Sequence, residues 1–145
     1  MPINVTDIAS AIVDSLSNPD NAGEFSEEFT AERVYSLDTN WVNYTDAPRV
    51  FVISRKEENQ PEDREDDRFE FSVGIAVIRK VTNTDPDTID PLLDLPRSIR
   101  DFLNKRDMAG ANSNNCTIEV LFLADELNED SCLVSALGSE YWTEQ

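Results

Sequence analysis

Histidine is absent from this 145-residue chain, and cysteine occurs only at Cys116 and Cys132. The first absence excludes a Ser-His-Asp triad, a Cys-His dyad and any zinc site that uses imidazole. Two thiols cannot supply a four-thiolate site either. The four glycines are all isolated, so no Gly-rich phosphate loop can form. No apolar run approaches the about 20 residues that span a bilayer. The opening residues lack the basic leader and apolar stretch of a secretory signal, which leads us to expect a soluble protein of a reducing cytoplasm. In that compartment the two cysteines read as free thiols. An oxidised pair stays open only if both fall on neighbouring strands.

Positive charge is the other scarcity. Thirty acids stand against twelve bases, a formal net charge of −18. Such a balance argues against a general nucleic-acid binder, which needs clustered Lys and Arg to displace counterions. An anionic membrane surface is an equally poor partner. The bases all lie between Arg33 and Arg106, while the first 32 residues carry seven acids and residues 107–145 carry eight. Acidic ends keep a protein soluble, or they repel a polyanion or meet a basic partner.

What remains is enough for one domain. Residues 3–16 carry Ile3, Ile8, Ile12, Val13 and Leu16 at helical spacing, with Asn4 or Thr6 as cap and Pro19 as stop. A strand is expected over 29–37, with Phe29, Ala31, Arg33 and Tyr35 on one face. Residues 49–54 read as a buried strand, and 68–81 as the strongest strand of all, with Gly74 marking a bulge or a close approach. Between them, residues 57–67 hold seven acids and read as a solvated loop, poorly ordered until a partner covers it. A second helix is expected over 88–105, kinked or split by Pro96. Two further strands, 116–123 and 132–141, would be joined by an acidic loop at 125–130. The sum is an α+β domain: a largely antiparallel sheet of about five strands with two main helices packed against it.

No catalytic chemistry emerges, and we expect no enzyme, no cofactor and no resident metal. Acid pairs are too numerous for any one of them to be informative. The run Asp85 to Asp90 lacks the glycine and terminal glutamate of a calcium loop and suits the start of a helix better. Phe69 and Phe71 near Arg68 read as core rather than as a base-stacking platform. Trp41 and Tyr44 either pack beneath the end of the sheet or stand exposed as anchors for another subunit.

Four marks between residues 25 and 103 point further. They are F-x-A-E-R at Phe29 to Arg33, a strand ending at Val52 to Glu57, the alternating strand Phe71 to Val77, and the helix ending Ile99 to Leu103. In this order they resemble the tail terminator (tail completion) proteins of long-tailed bacteriophages, across more than half of the chain. The departures are Pro91 and Pro96 in the second helix and a less aromatic final strand. The resemblance implies a minor virion protein, assembled in the host cytoplasm, that forms a six-membered ring at the head-proximal end of the tail. That ring would stop tube polymerisation and offer a surface to the head-tail connector protein, with no active site. Its acidic bore would let DNA pass without specific binding. Candidate contacts with sister subunits, the tail tube protein or the connector are Glu57, Glu58, Glu62, Asp63, Asp66 and Asp67 of the acidic loop, with Trp41, Tyr44, Arg33 and Arg49. Two other readings stay open: an acidic DNA mimic that inhibits a DNA-binding protein, and another head-tail neck component.

Overall fold

The chain forms one five-stranded sheet with helices on it, an α+β fold, described over residues 2–61 and 67–144 of a computed structural model. Strands β1 (Thr30–Val34), β2 (Arg49–Pro61), β3 (Asp67–Lys80), β4 (Asn112–Val120) and β5 (Cys132–Glu144) lie in the order β1-β2-β3-β5-β4. Helices α1 (Val5–Ser17), α2 (Pro86–Leu92), α3 (Asp94–Leu103) and α4 (Ala124–Asp130) complete it. Every neighbouring pair is antiparallel except β1 and β2. A parallel pair needs a crossover. Residues 35–48 supply it, including the 3₁₀ turn Trp41–Asn43.

α1 begins at a capping box. The Asn4 side chain accepts the Asp7 N–H at 2.9 Å, and the Asp7 carboxylate accepts the Asn4 N–H at 3.1 Å. It ends at Asn18, held extended by the following Pro19. Its buried face, Ile8, Ala9, Ile12 and Leu16, meets Leu95, Ile99, Phe102 and Leu103 of α3 over one sheet face. Beneath them lie Val50 and Val52 of β2, Phe71, Val73, Ile75 and Val77 of β3, and Leu137 and Tyr141 of β5. On the opposite face, Phe51, Ala76, Ile78, Cys132 and Val134 are covered by the crossover, chiefly by Tyr44 with Trp41 half-buried beside it.

Several expected elements are corrected. Most of the acidic loop over 57–67 is sheet, since Glu57–Pro61 pairs with Asp67–Phe71. Alternation allows this: Glu58 and Glu70 point to an open face beside Lys56 and Arg68, so hydrogen-bonding the backbone buries no carboxylate. Glu62, Asp63 and Asp66 lie outside the described residues. The helix expected over 88–105 runs from Pro86 to Leu103 and is split, as Pro96 led us to expect. Pro96 has no N–H to offer the Leu92 carbonyl, and the chain turns at Leu93, whose own N–H reaches Ile89 and Asp90 at 3.3 Å. Residues 124–130 form α4 rather than a loop; Leu127 anchors it against Leu133 and Ile89. β1 stops at Val34, so Tyr35 leaves the face it was expected to share. Of the last two strands, the one expected over 116–123 is displaced to Asn112–Val120, while the one expected over 132–141 starts in place and runs on to Glu144.

Leu103 is fully buried where α3 meets the sheet. Leu103→Ala should therefore cost roughly 2–5 kcal/mol, read as a lower denaturant midpoint with an unchanged slope. A loss below about 1 kcal/mol would contradict this account of the core.

Candidate interaction surface

No described residue covers the upper half of the second sheet face, and its chemistry is set by one irregularity. A bulge in β2 between Ser54 and Lys56 frees Arg55 from the ladder. The Arg55 side chain runs over β3 and β5 and reaches Glu119 on β4 with an Nη1–Oε1 distance of 2.6 Å. It can do so because the two residues beneath it, register partners on adjacent strands, are Gly74 and Gly138. A Cβ at Gly74 would lie 2.7 Å from Arg55 Cδ, and one at Gly138 would collide with the Glu119 carboxylate. The close approach expected at Gly74 is thus made by a side chain, and the bulge lies on the neighbouring strand.

Above this strut the face is a mixture of both signs. Lys56 pairs with Glu58 at 2.6 Å and Arg68 with Glu70 at 3.2 Å, while the Arg68 guanidinium lies 4.5 Å from the Trp142 ring centre. Together with Ser72, Asn114 and Glu140 they line an open groove of about 280 Å³.

The residues singled out from the sequence are scattered. Glu57 accepts the Val5 N–H at 2.7 Å and so holds the start of α1. Glu58 lines the groove, and Asp67 accepts from the Asn59 side chain at 3.4 Å. Glu62, Asp63 and Asp66 lie outside the described residues. Tyr44 is core, not an exposed anchor: it is buried, and its hydroxyl donates to the Asp38 carbonyl at 2.7 Å. Arg49 pairs with Glu32 at 2.8 Å and stacks on Tyr44 and Phe51. Arg33 is exposed on β1, 5.6 Å from the Tyr35 ring centre. Tyr35, Val42, Val120 and Phe122, large apolar side chains that are exposed, escaped the sequence reading. The available signal was position: two sit just past a strand end or in the middle of a 3₁₀ turn, where alternation no longer applies.

Both cysteines are free and buried. They lie on neighbouring strands, but Cys116 stands opposite Ser139 and Cys132 opposite Lys80, so register separates them. Burial pushes the Cys116 thiol up to about 11, against the pull of its hydrogen bond with Ser139. Burial likewise pushes the Tyr141 hydroxyl, which accepts from Ser139 at 2.9 Å, up to about 12. No group of three or more metal-ligating side chains occurs among the described residues, and no helix among them is long and apolar enough to cross a membrane. Compared with known proteins, the chain matches no family model and no curated protein.

Two outcomes follow from this geometry. Gly138→Ala should destabilise by about 1–3 kcal/mol, as overpacking does. In a Glu119→Ala background, where the obstructing carboxylate is gone, the same change should cost less than about 1 kcal/mol; equal costs would remove the strut. For pH, the folded-state thiol of Cys116 holds its proton up to about 11, against an ordinary value of 9.0. Stability from this group is therefore complete below about pH 9 and lost as pH rises toward 11. Cys116→Ala should flatten that alkaline decline in unfolding titrations; an unchanged slope would contradict it.

Proposed function

We propose that this protein is a tail terminator: a structural virion protein that caps the phage tail tube as a six-membered ring, ends tube polymerisation and provides the surface for head-tail joining. One observation carries the reading. The four segments that bear the resemblance, though far apart in sequence, contribute to a single core. Phe29 and Ala31 lead into and lie on β1, Val52 lies on β2, Phe71, Val73, Ile75 and Val77 on β3, and Ile99, Phe102 and Leu103 on α3. A shared pattern whose apolar positions all meet is what a common protomer architecture requires.

The reading needs no enzyme and no cofactor; its partners are sister subunits, the tail tube protein and the connector. The acidic DNA mimic is less well supported. Such a mimic presents rows of unpaired acids spaced like phosphates, whereas on the open face Glu58, Glu70 and Glu119 each hold a base.

Purified protein added to polymerising tail tubes of its own phage should arrest elongation and leave a ring on one end in electron micrographs. Tubes that keep growing, with no density added at their ends, would overturn the reading.

A further inference from the structure

Sheet edges usually carry charge or cover that blocks unwanted pairing. Here the two edges are treated differently. On β4 the Ser113 N–H donates to the Asp107 carboxylate at 2.8 Å, and the Cys116 N–H donates to the Asn104 side chain at 3.3 Å. Along those residues the edge is closed by its own loop. On β1 the Thr30 N–H turns inward to the Pro48 carbonyl at 3.3 Å, so strand alternation aims the backbone groups of Ala31 and Arg33 outward. No backbone partner for them occurs among the described residues.

A second copy meets little repulsion at this edge, although each chain carries a net charge of −18. The one acid on β1, Glu32, is held by Arg49 at 2.8 Å. Arg33 beside it is exposed and has no acidic partner among the described residues. The neighbouring flank of α1 is uncharged as well. α1 lies over β1 and β2, and its Ser15 hydroxyl donates to the Met108 sulfur at 3.6 Å on the side toward the loop after α3. Thr6, Ser10, Val13 and Ser17 therefore take the opposite side, beyond β1, where Ser10 and Ser17 are exposed.

The strand is also complementary to itself, in one register. Two copies of a strand pair antiparallel about a two-fold axis, and the central residue fixes every other pair. Centred on Glu32, the pairing would set two carboxylates face to face; centred on Arg33, two guanidiniums. Centred on Thr30, it would set Glu28 against Glu32. Like charges directly opposite are destabilising. Centred on Ala31, alanine meets alanine, Thr30 meets Glu32 and Phe29 meets Arg33, with no like charges opposed. That last pair brings a free guanidinium to an aromatic ring, a favourable contact in its own right.

We propose that β1 pairs antiparallel with β1 of a second copy of this chain, about a two-fold axis at Ala31. The outward N–H and C=O of each Ala31 then bond one another, and the two sheets become one. The axis stands perpendicular to that sheet, so both α1 helices lie on the same side of it, with their uncharged flanks turned toward each other. An isologous contact of this kind is used up within the pair and stops at two copies. A six-membered ring needs a different surface, so the pairing does not rest on the tail-terminator reading.

Sedimentation of the purified full chain tests the pairing. Mass should rise from one copy to two with protein concentration, and more readily as salt screens the repulsion between acidic copies. Ala31→Pro removes the central N–H donor from each copy and should weaken pairing about tenfold or more. An edge strand tolerates proline where its N–H faces outward. Arg33→Asp, at an exposed position, covers the case in which Ala31→Pro fails to fold, and it should weaken pairing in the same direction. Oxidative cross-linking reads the register, since both native thiols are buried. Ala31→Cys sets two thiols directly opposite, about 5.5 Å apart at Cα, and should give a covalent dimer. Glu32→Cys sets them on the diagonal, about 7–8 Å apart, and should stay unlinked. A wild-type monomer at every concentration and salt, or a dimer that Ala31→Pro and Arg33→Asp leave unchanged, would overturn the pairing. Glu32→Cys linking as readily as Ala31→Cys would overturn the axis at Ala31.

Discussion

The structure depends on burying β3 from both sides. In a chain so rich in carboxylates, few segments can enter an interior at all. β3 can, because Val73, Gly74, Ile75, Ala76, Val77 and Ile78 carry no charge on either face. With β2 and β5 paired along its length, it presents one row to α1 and α3 and the other to the crossover. Each remaining element is placed by what it adds to one of those two layers. β1 is short because the layer it serves ends there, and its parallel direction follows from a connection that must first cross the second face.

Charge is arranged around that interior in a way that limits self-repulsion. Bases are drawn into pairs at sheet positions, where a strand offers neighbours at fixed spacing. Exposed pairs of this kind contribute little individually, about 0–1 kcal/mol each. Their larger effect is on surface character, since they leave the open sheet face nearly balanced and concentrate unpaired acid elsewhere. Arg79 is an exception in depth: its side chain is 12% exposed, and its guanidinium lies 2.7 Å from Glu27 and donates to the Asp46 carbonyl at 2.9 Å, tying two loops to the foot of β3. The strut from Arg55 to Glu119 is a related device. It ties the interior strands to β4, and two glycines give it room.

The sequence by itself determined the α+β class, the first helix with its cap and stop, the central hairpin, and the burial of Phe71. Each is a local matter: an apolar period, a proline, an asparagine at a helix start, and alternation too dense to serve anything but a core. The split of the second helix was legible too, since a missing N–H acts wherever the chain is placed. Tertiary structure alone decided the rest. Residues 57–61 became strand because a partner strand satisfied their backbone while water kept their carboxylates. α4 formed because Leu127 found a pocket between Leu133 and Ile89. Tyr44 went inside, and Tyr35 and Val42 outside, once the crossover had chosen its face. Arg55, Glu119, Gly74 and Gly138 lie on four different strands, and only sheet register brings them together.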